Sequence, residues 1–249
     1  MKNPWEELIE KVGADYQTKD KLYIVQDDLK VIKKFNENLS SKSKETYQIH
    51  YHIHPSHYTG NIRSASVILL ATNPGYLVKE EFTLYINPAF HKEVVENLKF
   101  NTDTFINRDE SRRNDSNYWS DRTKELREIF GDDIVDKHLA LIQFFPYHSI
   151  KFRKIPKKYF EDGERYLKTQ KFGFELVREA IKEDKMIIIL RSKKHWLKAV
   201  PELIAHKKRG KVLEVKNARQ PYLTPKNLKD NGFEKLVEYI KQQIEKQKN

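Results

Sequence analysis

The sequence predicts an α/β fold in which a central parallel sheet of four strands is flanked by helices on both faces. Four short apolar runs are spaced along the chain, and helical patterns lie between them. Nearly continuous apolar runs of this length are typical of strands buried on both faces. Strands that alternate with helices are typical of open α/β sheets. The four runs are residues 67–71, 139–142, 186–190 and 212–215.

The helical patterns define the predicted organisation of the chain. Trp5, Leu8, Ile9 and Val12 recur at helical spacing, and so do apolar residues between 29 and 35. We therefore expect an N-terminal helical extension over residues 1–45 and a single α/β domain over residues 46–249. Within the domain, helices are predicted over 119–130, over 172–181 and from residue 233 onwards.

The composition excludes several classes of protein and site. The 249 residues suit one α/β domain with extra helices. The chain has no cysteine, which excludes disulfides, thiolate catalysis and cysteine-based metal sites. No apolar run approaches the roughly 20 residues that span a bilayer, and no apolar stretch typical of a signal peptide follows Met1. We expect a soluble, cytoplasmic monomer without a membrane partner.

The net charge indicates a polyanionic partner. The formal charge is +11 and the isoelectric point is about 9.4. Lysine and arginine bind phosphates favourably because the contacts release counterions, so DNA is the expected partner. The densest basic segments are residues 151–158 and 206–211, and each is either a phosphate contact or a solvated face.

A polar turn directly follows each of the four predicted strands. The turns span residues 72–76, 143–149, 191–196 and 216–225, and they are rich in amides, aromatic rings, hydroxyl groups and arginine. Ligands of open α/β sheets bind beyond the carboxyl ends of the strands, so we expect the four turns to converge there. This mixture of side chains can stack a base, bind its edge and hold phosphates.

The first of these segments resembles a known motif. The strand 67–71 followed by Thr72-Asn73-Pro74-Gly75 resembles the first motif of the uracil-DNA glycosylase superfamily, closest to the Asn-Pro-Gly branches of the mismatch-specific and single-strand-selective types. The similarity extends from about Gly60 to Leu228. It implies a uracil-DNA glycosylase-like fold in which Asn73 positions the water that attacks the sugar.

The fourth turn lies where the second motif of that superfamily falls. That motif usually begins His-Pro-Ser, whereas this chain has Asn217-Ala218-Arg219. The mismatch-specific branch also carries Asn at the first position. The resemblance therefore implies that Asn217 is the second catalytic residue.

The resemblance also implies an activity and a set of contacts. The activity is that of a monofunctional DNA glycosylase that needs no metal or organic cofactor and releases a flipped uracil or modified base, in repair or in defence against phage DNA. Gln143 lies where relatives read the base with an asparagine amide. We expect further base contacts from Thr72, Gly75, Tyr76, Phe145 and His148. DNA contacts are expected from Arg191, Ser192, Lys193, Arg219, Gln220 and Tyr222.

Several side chains have a second interpretation. Phe82 and Tyr85 can stack on a base or pack in the core, and His148 can contact a base or phosphate or bind a loop carbonyl. His50, His52 and His54 alternate as zinc ligands on a strand would, but no acidic residue accompanies them. His148 and Ser149 lack the glycine-flanked turn of a serine hydrolase.

The enzyme classes that need clustered carboxylates are disfavoured. Nuclease chemistry needs carboxylates that converge on a metal ion, and none of the four turns contains one. The main alternative to a glycosylase is a non-catalytic DNA- or nucleotide-binding protein with the same fold. Asn73 also has a purely structural alternative, because an asparagine can cap a turn by bonding its own backbone.

Overall fold

The four predicted apolar runs all form strands of one sheet. A computed structural model describes residues 2–11, 22–78, 88–102, 104–105 and 113–248. The sheet has five strands, with helices on both sides, which confirms the α/β fold class. The strands are β1 (Tyr58–Thr59), β2 (Val67–Ala71), β3 (Leu139–Gln143), β4 (Met186–Ile189) and β5 (Val212–Glu214), in the order β1-β3-β2-β4-β5.

The prediction of a purely parallel, four-stranded sheet is wrong. The additional strand β1 pairs antiparallel with β3, with Tyr58 opposite Ile142 and Thr59 opposite Leu141. A strand of two residues is too short to produce a periodic pattern, so the sequence gives no signal for it. The pairs β2–β4 and β4–β5 are parallel, as predicted. The carboxyl ends of β2, β4 and β5 therefore lie at the same end of the sheet.

The helices are more numerous than the sequence pattern indicates. The helix predicted over 119–130 is two helices, because Thr123 leaves helical geometry (φ −111°, ψ 9°) and its hydroxyl donates to the carbonyl of Trp119 at 2.8 Å. The helices are α1 (Glu6–Lys11), α2 (Gln26–Glu37), α3 (Ser41–Tyr47), α4 (Pro88–Leu98), α5 (Arg113–Arg122), α6 (Lys124–Phe130), α7 (Asp132–His138), α8 (Lys168–Lys182), α9 (Lys193–Ala199), α10 (Glu202–Lys208) and α11 (Gly232–Lys248).

The chain forms two compact units. The first contains residues 1–57, 72–99 and 143–175, and the second contains residues 58–71, 100–142 and 176–249. The predicted N-terminal extension, residues 1–45, falls in the first unit, and its separation from a domain over 46–249 stays a prediction.

The second unit contains the sheet and an aliphatic core. Alternate residues of the strands, such as Val67 and Leu69 in β2 or Leu139 and Leu141 in β3, are fully buried in one hydrophobic cluster. Leu236 and Ile240 of α11 belong to the same cluster. Every strand residue of β2, β3, β4 and β5 is buried, which explains why these runs are apolar at consecutive positions.

The first unit has an aromatic core. Phe144 packs against Phe174 with ring centroids 5.3 Å apart and against Phe152 at 5.9 Å. Trp5, which is fully buried, meets Tyr147 edge to face at 6.0 Å. The polar turn that follows β3 therefore supplies core side chains as well as candidate site residues.

A buried carboxyl group ties helix α2 to the start of helix α8. Asp28 is fully buried, and its Oδ2 accepts hydrogen bonds from the hydroxyl groups of Tyr147 (2.9 Å) and Thr169 (2.5 Å). Its Oδ1 accepts the backbone N–H of Lys168 at 2.9 Å, so Asp28 caps α8 from a distant part of the sequence. Burial raises the pKa of Asp28 to about 6, although the hydrogen bonds from Thr169 and Tyr147 oppose this shift.

We expect Asp28→Ala to lower the free energy of unfolding by about 2–3 kcal/mol, because it leaves buried donors without an acceptor. Urea denaturation at neutral pH would measure the change. Asp27→Ala is the matched control, because Asp27 is exposed and its ion pair with Lys168 lies in solvent. The control should change stability by less than about 0.5 kcal/mol. Equal effects of the two substitutions would contradict the capping role.

Candidate functional site

The turn after β2 holds the amide of Asn73 in a fixed orientation. Its Nδ2 donates to the carbonyl oxygens of Pro74 (2.9 Å) and Ser149 (3.0 Å), and Ser149 Oγ lies 3.0 Å away. Carbonyl oxygens can only accept, so they determine which end of the amide is the nitrogen. The other end, Oδ1, accepts no hydrogen bond from any residue that the structure describes.

The segment 143–149 runs beside this turn and binds its backbone. The N–H of Phe145 donates to the carbonyl of Thr72 at 2.8 Å, and the N–H of Ser149 lies 3.4 Å from the carbonyl of Pro74. The first two polar turns predicted from the sequence are therefore in contact. Thr72, Asn73, Gly75 and His148, which were predicted separately, belong to this one arrangement.

His148 connects the two segments through its ring. Nδ1 lies 2.7 Å from the carbonyl oxygen of Gly75, and Nε2 lies 3.2 Å from the hydroxyl of Ser56. Burial lowers the pKa of His148 to about 4, although the hydrogen bonds to Gly75 and His54 oppose this shift. The ring is therefore neutral near pH 7, with Nδ1–H donating to Gly75 and Nε2 accepting from Ser56. This is the loop-carbonyl contact that the sequence left open, and a base contact by His148 stays a prediction.

Tyr76 is held by His50, which lies in the aromatic, histidine-rich segment 47–57 before β1. Its ring is stacked on that of His50, with centroids 3.6 Å apart and planes 15° apart, and the side chain is only 5% exposed. At least one face of Tyr76 is thus covered by the protein. Stacking of a base on Tyr76 stays a prediction, and Phe82 and Tyr85 lie outside the described residues.

Gln143 and Phe145 differ in their surroundings, because Phe145 packs in the aromatic core and Gln143 keeps an unpartnered buried oxygen. Phe145 is buried between Tyr147 and Phe152, at ring distances of 5.9 and 5.8 Å, so its side chain is part of the aromatic core. Gln143 is 8% exposed, and its Oε1 is buried without a hydrogen-bond partner in the described part of the chain. A buried acceptor without a donor costs free energy, so Gln143 Oε1 is available to a ligand that donates an N–H.

Of the histidines in segment 47–57, His54 and His57 are buried, whereas His50 is partly buried and His52 is exposed. His54 is fully buried and stacked on Tyr23 at 3.9 Å, and neither of its ring nitrogens has a hydrogen-bond partner among the described residues. Burial lowers the pKa of His54 and of His57 to about 3. Among residues 2–11, 22–78, 88–102, 104–105 and 113–248, no three histidine or acidic side chains are grouped to hold a metal ion.

The loop after β5, in the second unit, is organised by two asparagines. Asn217 Oδ1 accepts the backbone N–H groups of Arg219 (3.0 Å) and Gln220 (3.4 Å), which is a turn-capping role. Asn227 binds the same loop from its far side. Its Oδ1 accepts the N–H of Asn217 at 2.9 Å, and its Nδ2 donates to the carbonyls of Gln220 and Tyr222. Asn227 was not predictable from the sequence, because such contacts depend on the loop returning to itself.

Arg191 joins the end of β4 to that loop. Its Nε donates to the carbonyl of Ala218 at 2.9 Å and its Nη2 to that of Arg219 at 3.1 Å. Ser192, directly after it, adopts a left-handed conformation (φ 55°) and precedes helix α9. Arg191, from the end of β4, is thus brought to the loop after β5 that contains Asn217, Arg219 and Gln220, and contact of these residues with DNA stays a prediction.

Lys193 belongs to a different charge cluster, centred on Glu214. The carboxylate of Glu214 is 6% exposed, with Oε1 2.5 Å from Lys207 Nζ and Oε2 2.8 Å from Lys193 Nζ. Lys229 Nζ lies 3.6 Å from Oε2. Burial favours the protonated acid, but hydrogen bonds from Lys193 and Lys207 outweigh it and hold the pKa of Glu214 below its usual value. Three lysines therefore share one negative charge.

Comparisons with known proteins give no family for this chain. No protein-family model matches the sequence, and no significant match is found among curated proteins or solved structures. The resemblance to uracil-DNA glycosylases therefore depends on the quoted motifs alone. In the described part of the chain, no helix is both long and apolar enough to cross a membrane.

We expect the protein to lose stability as the pH falls from 7 to 5. Below pH 6.5 the unfolded chain binds protons at His54, His57 and His148 that the native state excludes until pH 3–4. Native Asp28, with its pKa raised to about 6, binds one proton that the unfolded chain lacks, which offsets one histidine. The net difference of two protons corresponds to a loss of about 3 kcal/mol per pH unit from these four groups.

Urea titrations at several pH values would measure this slope. His54→Phe preserves an aromatic ring but removes one titrating group, so it should reduce the slope by about 1.4 kcal/mol per pH unit. His52→Phe is the control for the introduction of a phenyl ring, because it makes the same replacement at an exposed position. A free energy of unfolding that is constant between pH 7 and pH 5 would contradict the assignment.

Proposed function

We propose that this protein is a monofunctional DNA glycosylase of the uracil-DNA glycosylase type. The observation that supports this most directly is the Asn73 amide, whose nitrogen is fixed by Pro74 and Ser149 while Oδ1 has no partner in the described part of the chain. An amide oxygen held in this way can accept a hydrogen bond from water and orient it. Fixed polar groups of this kind lower a barrier because they need no reorganisation during the reaction.

The proposed reaction needs only water and the DNA. The target nucleotide rotates out of the stack, and the water held by Asn73 attacks the sugar carbon that carries the base. The glycosidic bond breaks with its electron pair passing to the base nitrogen, and a proton from the water balances that charge. The products are the free base and an abasic sugar with a new hydroxyl group. No metal ion takes part.

Gln143 and the basic loops have the remaining roles in this proposal. The unpartnered Oε1 of Gln143 accepts an N–H from the edge of the base, which selects bases that carry a donor there. Tyr76 and His148 shape the turn that receives the base. Arg191, Arg219 and Tyr222, in the loops after β4 and β5, bind the DNA strand, and the substrate is uracil or a modified base.

A second candidate function is DNA binding without base release. Asn217 favours it, because its Oδ1 is occupied by the N–H groups of Arg219 and Gln220 and is therefore committed to the loop. If Asn217 only shapes the loop, the chemistry depends on Asn73 alone. Such a protein would bind DNA and leave all bases intact.

Release of the base distinguishes the two candidates. Oligonucleotides that carry uracil, mismatched or modified bases, single-stranded and duplex, would be incubated with the protein and then cleaved with alkali at abasic sites. A glycosylase produces strand breaks at one of these bases. Binding to the same oligonucleotides with no breaks on any of them favours the non-catalytic candidate.

We expect Asn73→Ala to abolish base release while DNA affinity and melting temperature stay close to those of the wild type. A partly exposed turn amide adds little to the core, and losing a transition-state contact lowers the rate of the chemical step rather than substrate binding. Single-turnover base release, measured with the melting temperature, would check this. Asn38→Ala is the matched control, because Asn38 is exposed and also donates to a backbone carbonyl.

The alternative role of Asn73 gives the opposite result. If the side chain only caps the turn, Asn73→Ala lowers the melting temperature and leaves base release per folded molecule unchanged. That result would remove the proposed mechanism. Asn73→Asp is a second variant, since a carboxylate near the positive charge that develops on the sugar should raise the rate if the water is placed as proposed.

A further inference from the structure

Two arginines of the second unit converge on one tyrosine that the sequence analysis did not single out. The guanidinium of Arg122, at the end of α5, lies 3.3 Å above the ring of Tyr118, and its Nη1 donates to the Tyr118 carbonyl at 2.8 Å. The same guanidinium lies 5.1 Å from the ring of Tyr222. Arg191 Nη2 lies 3.2 Å from the Tyr118 hydroxyl. Tyr118 thus contacts both positive groups.

Several N–H groups of these arginines remain available to a ligand. A guanidinium has five N–H donors. Arg191 uses Nε and Nη2 on Ala218, Arg219 and Tyr118, and Nη1 forms no hydrogen bond with a described residue. Arg122 uses only Nη1 in a hydrogen bond with a described residue, so the two N–H groups of its Nη2 are free to bind a ligand, whereas its Nε is buried. Both guanidinium groups are therefore held in place with donors to spare.

The charge of these arginines is not neutralised within the described residues. Arg122 and Arg191, which both contact Tyr118, form no ion pair there. In the same unit Arg127 binds Asp132 (2.9 Å) and Asp136 (2.6 Å), and Arg178 binds Glu202 (2.9 Å). Holding like charges together without a counter-charge is unfavourable, so this arrangement is best explained by an anion from outside the chain.

We propose that Arg122 and Arg191 form a site for a phosphate group of a nucleic-acid backbone, with Tyr118 as the residue that positions both guanidinium groups. A guanidinium presents paired N–H donors that match two phosphate oxygens, which a lysine ammonium cannot do. The identity of the phosphate donor as DNA rests on the proposed function. Tyr222, beside Arg122, places an aromatic ring at the edge of the same site.

Affinity for DNA as a function of salt tests the role of Arg122. The probe is a fluorescein-labelled oligonucleotide of about 15 nucleotides, single-stranded or as a duplex, titrated between about 50 and about 200 mM salt. Arg122→Gln should weaken binding roughly tenfold at low salt and reduce the slope of log affinity against log salt by about one. Arg165→Gln makes the same charge change at an exposed arginine and should leave both quantities as in the wild type.

The positioning role of Tyr118 has its own readout. Tyr118→Phe keeps the ring under Arg122 and removes the hydroxyl that meets Arg191, so it should weaken binding a few-fold. In the background of Arg191→Gln, Tyr118→Phe should have no further effect, because the group that it positions is gone. Additive effects of the two substitutions would instead indicate that Tyr118 only stabilises the fold.

The outcomes separate this inference from the proposed function. If the wild type binds DNA but Arg122→Gln leaves affinity and salt slope unchanged, the phosphate site is wrong and the proposed function stands. If the wild type binds no DNA, the proposed function fails, and inorganic pyrophosphate becomes the probe. Pyrophosphate that raises the melting temperature of the wild type but not of Arg122→Gln supports an anion site for a small phosphate compound. If pyrophosphate shifts the melting temperature of neither protein, the inference is overturned.

A variant that retains the charge covers the case in which Arg122→Gln does not fold. Arg122→Lys keeps the positive charge and loses the paired N–H donors. It should therefore weaken binding while the salt slope stays near the wild-type value. Wild-type affinity in this variant would show that the paired N–H donors of the guanidinium have no role, and would overturn the site as proposed.

Discussion

The candidate site depends on the hydrogen bonds between the turn 72–75 and the segment 143–149. Three carbonyl groups of the turn, those of Thr72, Pro74 and Gly75, face N–H groups of the segment, and the Asn73 amide nitrogen is held by Ser149. Backbone groups that leave a sheet must find new partners, and these two segments supply them to each other. Within this arrangement, two amide oxygens, those of Asn73 and Gln143, accept no hydrogen bond from the described part of the chain.

The features that could be predicted from the sequence are those that depend on residues close together along the chain. The strands β2, β3, β4 and β5 were predictable because burial on both faces requires apolar residues at consecutive positions, as in Val67–Ala71. β1 was not, because two residues carry no period. The capping of α8 by Asp28 and of the 217–222 loop by Asn227 joins residues that are far apart or meet only when a loop closes. Periodicity and local motifs contain no information about such contacts.

The position of the polar turns after the strands was predictable from the sequence, but the contacts between their side chains were not. The position of Asn73 after a buried strand could be recognised, whereas the orientation of its amide depends on the carbonyl of Ser149, 76 residues away. His148 was proposed to contact a ligand or a loop carbonyl, and only the structure shows that its ring joins Gly75 to Ser56. Its neutral state likewise follows from burial, which a sequence does not report.

The net charge of the chain does not indicate which positive groups are left without a counter-charge. Lys193, Lys207 and Lys229 surround the buried carboxylate of Glu214, which partly neutralises their positive charge. Among the described residues, Arg122 and Arg191 have no such neighbour, although each adds no more to the total of +11 than any lysine does. An anion therefore gains more from the arginines, which already have fixed positions and vacant donors. In a chain with this much lysine, the groups that select a ligand are those whose charge the fold leaves unpaired.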